Sequence, residues 1–169
     1  MSRPYPHLHQ ISRSDGGVPK LPVAEARVTA DGVMGDHQRN REAHGGVERA
    51  VCLFSLDLIE ALQAEGHSIT PGASGENLTL AGLDWARLAP GDRVQIGETL
   101  RVEIVSYTSP CRHNAQWFTA GDFSRISQKR HPGWSRLYAR VLVEGVVRTG
   151  DRVTVEPGGG PHFGIERTL

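Results

Sequence analysis

Short runs of alternating or β-branched residues dominate this chain, and turn-forming residues bound each run. Apolar side chains at every second position, with Gly, Pro, Asn or Asp at the ends, are typical of half-buried β-strands. The runs are RAVCLFS (49–55), ENLTLAG (76–82), DRVQIGETLRVEIVSY (92–107), LYARVLVEGVV (137–147) and DRVTVEP (151–157). Twenty glycines and ten prolines in 169 residues supply the turns that such strands need. The sequence therefore predicts a mainly β fold, a β-rich α+β class with few short helices.

Two of these strand runs begin with the same three residues, and a glycine precedes each of them. GDRV occurs at 91–94 and again at 150–153, each time between a turn and a strand. A repeated Gly-Asp corner that leads into a strand suits a closed or partly closed β-barrel, where chain reversals recur around the sheet. Gly-Asp is also a common turn pair, and the two interpretations stand equal on this observation alone.

One helix has clear signals at both ends. Ser55 is a suitable N-cap for the apolar-striped segment LDLIEALQAEG, which Gly66 terminates. A weaker helical pattern covers about residues 114–128, with a break near Gly121. The first 20 residues and the stretch after Pro157 carry no clear pattern, and we expect both to be irregular.

Length and charge exclude several classes of protein. A single domain over residues 1–169, with a core at about 16–156, fits the length. Nineteen basic residues balance nineteen acidic ones, so no overall field attracts nucleic acid or an anionic membrane. No apolar run approaches the roughly 18 residues of a membrane helix, and the first residues lack the apolar segment of a secretory signal. Because two cysteines also make no disulfide framework, we expect a soluble, cytoplasmic protein that binds neither nucleic acid nor membrane.

The two cysteines stand in opposite sequence environments. Cys52 lies inside AVCLFS and is predicted to be a buried strand residue without chemistry. Cys111 lies in TSPCRHN, where a proline stiffens the backbone and cationic neighbours favour the thiolate, the nucleophilic and metal-binding form. We therefore expect Cys111 to be the more reactive thiol. Residue chemistry alone leaves open whether it is a metal ligand, a nucleophile or a sulfur carrier.

The segment GDHQRNREAHGGVERAV concentrates histidines, arginines and glycines. His37 and His44 suggest a metal site, but their separation of seven without a helical pattern fits no standard zinc spacing. The pair Gly45 and Gly46 lets backbone N–H groups approach an anion, and with Arg49 it could hold a phosphate. A solvated polar loop explains the same residues, and this segment alone favours that simpler interpretation.

A third candidate segment is TPGASGENLTLAG. Two glycines bracket a tight turn, after which Glu76 and Asn77 stand at the entrance of a strand. Such residues often only satisfy the backbone groups of the turn. They can equally direct a carboxylate and an amide into a pocket at the mouth of a barrel.

Taken in order, five stretches resemble the MOSC domain, the family related to the C-terminal part of molybdenum cofactor sulfurase. They are GGVPK, GVMGDHQRNREAHGGVERAV, PGASGENLTLAGLD, the region from LAPGDRVQIG through SYTSPCRHN, and HPGWSRLYARVLVEGVVRTGDRVTV. Each stretch is weak alone, but HGG, GENLT and a Pro-Cys pair after a strand are specific in this order. The short chain is similar to stand-alone bacterial members, related to those that handle N-hydroxylated base analogues.

The resemblance implies a pyruvate-kinase-like β-barrel and a family cysteine that matches Cys111. That cysteine would coordinate the molybdenum of the pterin cofactor or carry sulfur, and a soft thiolate suits both tasks. The candidate catalytic residues are Cys111, His113 and His44, the candidate cofactor-binding residues are Gly45, Gly46, Arg49, Glu76, Asn77 and Arg112, and the candidate metal ligand is Cys111.

The resemblance also implies a small-molecule substrate and a role in reducing N-hydroxylated compounds or in sulfur delivery. Pyridoxal phosphate, although associated with the family, is not expected, because the chain has only two lysines and no desulfurase domain. No CxxC or iron–sulfur pattern occurs, so redox activity would need a separate electron-transfer or sulfur-donor protein. Two alternatives remain, a non-catalytic module that stores or transfers the cofactor and a metal-free thiol-dependent enzyme.

Overall fold

The computed structural model describes residues 3–37 and 46–158, and strands form most of the regular structure there. The eleven strands of this part are β1 (His7–Arg13), β2 (Leu21–Val23), β3 (Glu25–Thr29), β4 (Gly32–Val33), β5 (Val51–Ser55), β6 (Leu78–Ala81), β7 (Arg93–Ile96), β8 (Leu100–Tyr107), β9 (Leu137–Val143), β10 (Gly145–Arg148) and β11 (Val153–Glu156). They form an eight-stranded sheet, ordered β11-β7-β8-β9-β5-β6-β1-β2, and a three-stranded sheet, ordered β10-β3-β4. The predicted mainly β fold is confirmed.

All five sequence runs that predicted strands form them. They give β5, β6, the hairpin of β7 and β8, the pair β9 and β10, and finally β11. β5 and β6 are parallel, and the chain between them contains the helix α1 (Leu56–Ala64). The other pairings among the described strands are antiparallel.

The two GDRV corners adopt the same turn. Asp92 Oδ2 accepts the backbone N–H of Ala89 at 2.9 Å, and Asp151 Oδ2 accepts that of Arg148 at 2.8 Å. In return, the backbone N–H of Asp92 donates to the carbonyl of Ala89 at 3.1 Å, and that of Asp151 donates to the carbonyl of Arg148 at 3.0 Å. The strands that follow, β7 and β11, pair with each other. The two GDRV segments therefore lie at equivalent strand entrances.

The large sheet curls so that β1 approaches the start of β11. A single antiparallel bridge joins His7 to Arg152. Leu8 also exchanges backbone hydrogen bonds with its new neighbours, donating to Asp151 and accepting from Gly150, both at 2.8 Å. Over the described residues this contact does not extend into a continuous ladder, so the barrel implied by the resemblance is not closed.

The expectation of an irregular N-terminal stretch is wrong, because β1 lies within it. Leu8 and Ile11 are fully buried and belong to the hydrophobic core. The pairing of β1 with β6 shifts register between Leu8 and Gln10. This bulge interrupts the two-residue period, so the alternation that identifies strands in a sequence is absent. The folded core therefore begins before residue 16.

The predicted helix near residues 55–65 is confirmed as α1. Ser55 Oγ accepts the backbone N–H of Leu58 at 3.2 Å, which satisfies one of the free donors at the helix start. Ile59 and Leu62 are fully buried, and the chain leaves the helix at Gly66 with φ 100°. At nine residues α1 is the longest helix in the described ranges, and none there is long and apolar enough to cross a membrane.

The weaker helical pattern after residue 114 forms three short 3-10 helices instead of one α-helix. They span Arg112–Trp117, Thr119–Gly121 and Phe123–Ile126. The predicted break is confirmed, because Ala120 and Gly121 both have positive φ, 57° and 70°. These helices follow β8 and carry part of the cavity described next.

Candidate functional site

A cavity of about 270 Å³ opens beside the loop that carries Cys111. It is lined by Gly17, Val18, Lys20, His37, Cys52, Ser74, Gly75, Ser109, Cys111, His113, Asn114, Gln116, Arg136 and Tyr138. We call Ser109, Cys111, His113, Asn114 and Gln116 the loop wall. We call Lys20, Cys52, Ser74 and Arg136, all buried, the buried wall.

Cys111 is held at the cavity by a stiff connection after β8. Thr108 donates its backbone N–H to the carbonyl of Arg136 at 3.0 Å, and the Thr108 carbonyl accepts from the Ser135 hydroxyl at 3.0 Å. Cys111 then caps a 3-10 helix, where its carbonyl accepts the N–H of Asn114 at 2.9 Å. Cys111 itself is partly exposed. A fixed backbone with an accessible thiol is the arrangement that a ligand or nucleophile needs.

Cys52 is buried on β5, as predicted, but it lines the same cavity. Its Sγ lies 4.0 Å from Thr108 Oγ1. Burial raises the pKa of the Cys52 thiol, so this sulfur stays protonated and unreactive at neutral pH. The two cysteines therefore share one cavity with different accessibility.

Lys20 is a buried-wall residue that the sequence reasoning did not select. Its backbone N–H donates to the carbonyl of Gly72 at 2.9 Å, which joins the segment before β2 to the turn before β6. Gly72 has φ 84°, and a Cβ there would lie 2.5 Å from the Lys20 carbonyl oxygen. This close approach requires glycine. The sequence signal that could have identified Lys20 was its rarity, because it is one of only two lysines in the chain and directly follows GGVP.

Asp36 is the acidic partner of Lys20. Asp36 Oδ2 accepts from Lys20 Nζ at 2.6 Å and from Asn77 Nδ2 at 2.9 Å. Asp36 Oδ1 accepts the backbone N–H of Ser14 at 2.9 Å. Both side chains of the ion pair are less than one-tenth exposed. The ion pair and the two further hydrogen bonds to Asp36 fix the position of the Lys20 ammonium group.

Asn77 lies behind the buried wall and does not line the cavity. Its Oδ1 accepts the backbone N–H of Cys52 at 3.1 Å, and its Nδ2 donates to the carbonyl of Ser12 at 3.3 Å as well as to Asp36. These contacts link β1, β5 and the Asp36 segment. Of the two interpretations of Asn77, the geometry favours the structural one.

Arg136 supplies the second cation of the buried wall, and it was not predicted either. Its Nη1 donates to the carbonyl of Ser74, whereas its Nε has no hydrogen-bond partner among the described residues. The guanidinium is buried, and a buried cation is stable only beside an acidic group or a ligand. No sequence pattern marks it, because Arg136 simply precedes the run that becomes β9.

Glu76 lies beneath the buried wall and is fully buried. Neither of its carboxyl oxygens has a hydrogen bond of normal geometry within the described residues. Burial raises the pKa of Glu76 to about 7, and Arg136, Lys20 and nearby backbone groups oppose that rise. Glu76 therefore interacts electrostatically with the lining residues Arg136 and Lys20, but it does not itself line the cavity.

Three residues of the cavity each keep a buried polar atom without a hydrogen-bond partner in the described ranges. These atoms are Ser74 Oγ, Asn114 Oδ1 and Arg136 Nε. Buried polar atoms in folded proteins are almost always paired. At this cavity they are three groups with which a polar ligand can form hydrogen bonds.

Of the other predicted residues in the described ranges, His113 is exposed on the loop wall, whereas Gly46, Arg49 and Arg112 are not among the lining residues. Arg112 points to solvent-accessible surface, and Gly46 has φ 91° with open space around it. The guanidinium carbon of Arg49 lies 5.3 Å from the ring centre of Tyr138, a lining residue. The predicted residues His44 and Gly45 fall outside the described ranges.

Within residues 3–37 and 46–158, no group of three or more His, Cys, Asp or Glu side chains is arranged to hold a metal ion. The loop wall offers one thiol and the imidazole of His113 instead.

Sequence comparison links this chain to a known family. The sequence model of the MOSC domain matches residues 40–154. The chain is 27% identical over 152 residues to Uncharacterized protein YflK of Bacillus subtilis, covering 89% of this chain and 67% of that protein. It is 30% identical over 128 residues to Protein YiiM of Escherichia coli, covering 73% of this chain and 55% of that protein. It thus spans little more than half the length of YiiM.

Solved structures share the fold. YiiM from Geobacillus stearothermophilus superposes with a TM-score of 0.71 at 24% identity, covering 90% of this chain and 75% of its own. The YUAD protein from Bacillus subtilis superposes with a TM-score of 0.69 at 15% sequence identity, covering 89% of this chain and 94% of its own. YiiM from Escherichia coli superposes with a TM-score of 0.67 at 21% sequence identity, covering 91% of this chain and 71% of its own. At these identities the similarity establishes the architecture alone.

Proposed function

The chain belongs to the MOSC domain family, and on that premise we propose that its cavity binds the molybdenum cofactor with Cys111 as the metal ligand. The family is generally linked to this cofactor. One observation carries the proposal: the partly exposed Cys111 shares a cavity with two buried cations, Lys20 and Arg136.

The residues of the cavity fit this cofactor in three respects. Thiolate sulfur is a soft ligand, which suits a metal already bound by the dithiolene sulfurs of a pterin. Lys20 and Arg136 offer positive charge to the cofactor's phosphate. The unpartnered atoms of Ser74, Asn114 and Arg136 are groups that a polar ligand would satisfy.

The chemistry we propose is the reduction of an N-hydroxylated compound, which consumes two electrons and two protons and releases water. When bound, the cofactor would supply a centre that exchanges electrons with the substrate. Cys111 would hold it, and the imidazoles of His37 and His113, both lining the cavity, would transfer protons. The electrons would come from a separate protein, because the chain has only two cysteines and no iron–sulfur pattern.

Sulfur delivery is the second use that the same thiol permits. In that case Cys111 would carry a sulfur atom as a persulfide and would require a sulfur-donor protein. The partial exposure of Cys111 supports this alternative as well, because transfer needs access by a second protein. A storage module would bind the cofactor and show neither reaction.

The test is purification from a host that makes the cofactor, followed by molybdenum analysis and pterin fluorescence. We expect near-stoichiometric molybdenum and pterin in the wild type. Cys111→Ser should lose the metal while keeping its thermal stability. Cys52→Ser, the other thiol of the same cavity, is the matched control and should retain the metal.

The same samples separate the alternatives. Bound cofactor with reduction of an N-hydroxylated base, given an electron donor, supports the enzyme. Bound cofactor without turnover supports storage, and a mass increase of one sulfur atom at Cys111 supports sulfur delivery. Activity in protein free of molybdenum and pterin would overturn the proposal in favour of a thiol enzyme.

A further inference from the structure

Two carboxyl groups, Asp36 and Glu76, lie next to the two cations of the buried wall, and the two carboxyl groups are held in opposite ways. Asp36 accepts three hydrogen bonds and is ion-paired to Lys20. Glu76 is fully buried, and neither oxygen has a partner of normal geometry in the described part of the chain. Asp36 is therefore held in place by an ion pair and hydrogen bonds, whereas burial raises the pKa of Glu76 to about 7 and makes it the group whose charge can change near neutral pH.

The charge of the buried wall follows from this difference. With Glu76 ionised, Lys20 and Arg136 are balanced by two carboxylates. With Glu76 protonated, one positive charge remains uncompensated in a region shielded from water. An anion that enters the cavity is then the group that compensates it, and its negative charge in turn favours the protonated form of Glu76.

We propose that the buried wall is a subsite for a tetrahedral oxyanion, held by Lys20 and Arg136, and that Glu76 takes up a proton when the anion binds. The ligand class is the phosphate-monoester end of a larger molecule. The inference deepens the proposed function, on which it rests for the identity of the natural ligand. It assigns the anionic end to the buried wall instead of the HGG segment named from the sequence.

Several groups surround Glu76 and must be separated from it. Arg136, Lys20 and the Cys52 thiol interact with it electrostatically, and Asp36 adjoins it through Lys20. The imidazoles of His37 and His113 also line the cavity and would attract an anion when protonated. A proton-linkage experiment therefore needs variants of both kinds.

The experiment uses sulfate as the probe on cofactor-free, full-length protein, because sulfate does not titrate near neutral pH. Calorimetric titrations at pH 7 in two buffers of different ionisation enthalpy report the protons taken up. If binding raises the pKa of Glu76 by about one unit from about 7, uptake is ~0.4 proton per sulfate. On the same basis sulfate binds roughly five-fold more tightly at pH 6 than at pH 8.

Variants identify the groups responsible. Glu76→Gln should lose the proton uptake, flatten the pH dependence and bind sulfate more tightly than the wild type at pH 8. Arg136→Gln should weaken binding by about ten-fold, the loss expected for a charged hydrogen-bonding group. Glu25→Gln, which alters an exposed carboxylate paired with Arg148, is the control and should behave as the wild type.

Three outcomes would overturn the inference. They are no sulfate binding by the wild type, unchanged proton uptake in a folded Glu76→Gln variant, or loss of that uptake in His37→Gln or His113→Gln instead. The wild-type titration needs no variant, so a misfolded Glu76→Gln leaves the proton count decisive. Because the protein carries no molybdenum here, failure of metal binding by Cys111 would not affect these results.

A final arm distinguishes the source of the anion. Oxidised pterin with its phosphate should compete with sulfate, and the dephosphorylated pterin should not. Competition by the phosphorylated form assigns the subsite to the cofactor. Sulfate binding without such competition supports a subsite for a free oxyanion and counts against the proposed function alone.

Discussion

The loop wall and the buried wall of the cavity are built on opposite plans. On the loop wall hydrogen bonds fix the backbone, while Cys111 is partly exposed and His113 is exposed. On the buried wall the side chains themselves are fixed, because Lys20 donates to Asp36 and Arg136 to the carbonyl of Ser74. Sulfur chemistry needs access and charge recognition needs a shielded, preorganised site. In this cavity the loop wall provides the access, and the buried wall provides the shielded, preorganised site.

The largest expected effect is a loss of stability caused by a substitution in the backbone turn that contacts Lys20 of the buried wall. Gly72→Ala places a Cβ 2.5 Å from the carbonyl oxygen of Lys20 at φ 84°. Backbone strain and overpacking together should lower the free energy of unfolding by about 3–5 kcal/mol. Urea denaturation measures the loss.

Gly91→Ala is the matched control for this substitution. Gly91 also has positive φ, 96°, but a Cβ there meets nothing within 4 Å. Its cost should be the conformational part alone, about 1–2 kcal/mol. Equal losses in the two variants would show that the close approach to Lys20 does not matter.

The second effect concerns the charge of the buried wall. The folded-state pKa of Glu76 is about 7, and the ordinary value is 4.5. Because the folded pKa is raised, ionisation destabilises the fold: the cost is absent below pH 4.5, grows to pH 7 and then stays constant. Glu76→Gln cannot ionise, so its stability relative to the wild type should improve by ~3 kcal/mol between pH 4 and pH 8.

Denaturation of both proteins across this pH range checks the expected gain. Glu25→Gln alters an exposed carboxylate on the small sheet and should show almost no pH-dependent difference. A gain that is independent of pH would point to improved packing and would remove Glu76 as the group of variable charge.

The sequence predicts the frame of this site better than its charges. Strands, the α1 cap at Ser55 and the GDRV corners are local, since period, capping residue and turn residues lie within a few positions of one another. Strand β1 was not predicted, because the bulge between Leu8 and Gln10 interrupts its alternation of buried and exposed residues. Cys111 was selected because its immediate neighbours favour a thiolate, and the structure places it in the cavity lining.

The buried cations are the part that no local pattern reveals. Lys20 meets Asp36 sixteen positions away, and Arg136 meets Ser74 sixty-two positions away. Whether such a cation faces solvent or a cavity depends on how distant strands pair. Their position at a strand entrance drew attention to Glu76 and Asn77, and the structure places both behind the wall that holds these cations.

The third effect compares the two walls through their cysteines. In the folded protein Cys111 should react with an alkylating reagent on the order of 100-fold faster than Cys52, whose thiol is buried and whose pKa burial raises. Mass-mapped labelling near neutral pH measures both rates. In urea the two cysteines should label at similar rates, and similar rates without urea would contradict the division between the walls.

The smallest effect concerns the contact that joins the two walls. The Ser135 hydroxyl lies 3.0 Å from the carbonyl oxygen of Thr108, where the Cys111 loop begins, and 2.6 Å from that of Arg136. Ser135→Ala leaves the buried Thr108 carbonyl without this donor. The free energy of unfolding should fall by about 1–2 kcal/mol, and alkylation of Cys111 should accelerate a few-fold because its loop is less restrained.

Ser124→Ala removes a partly exposed hydroxyl that donates to Asp122, so it provides the control for a lost serine hydrogen bond. It should change neither stability nor the Cys111 rate by a measurable amount. If Ser135→Ala lowers stability but leaves the Cys111 rate unchanged, the two walls are held independently. The loop wall would then owe its geometry to the 3-10 helix after Cys111, whose first hydrogen bond joins Asn114 to the Cys111 carbonyl.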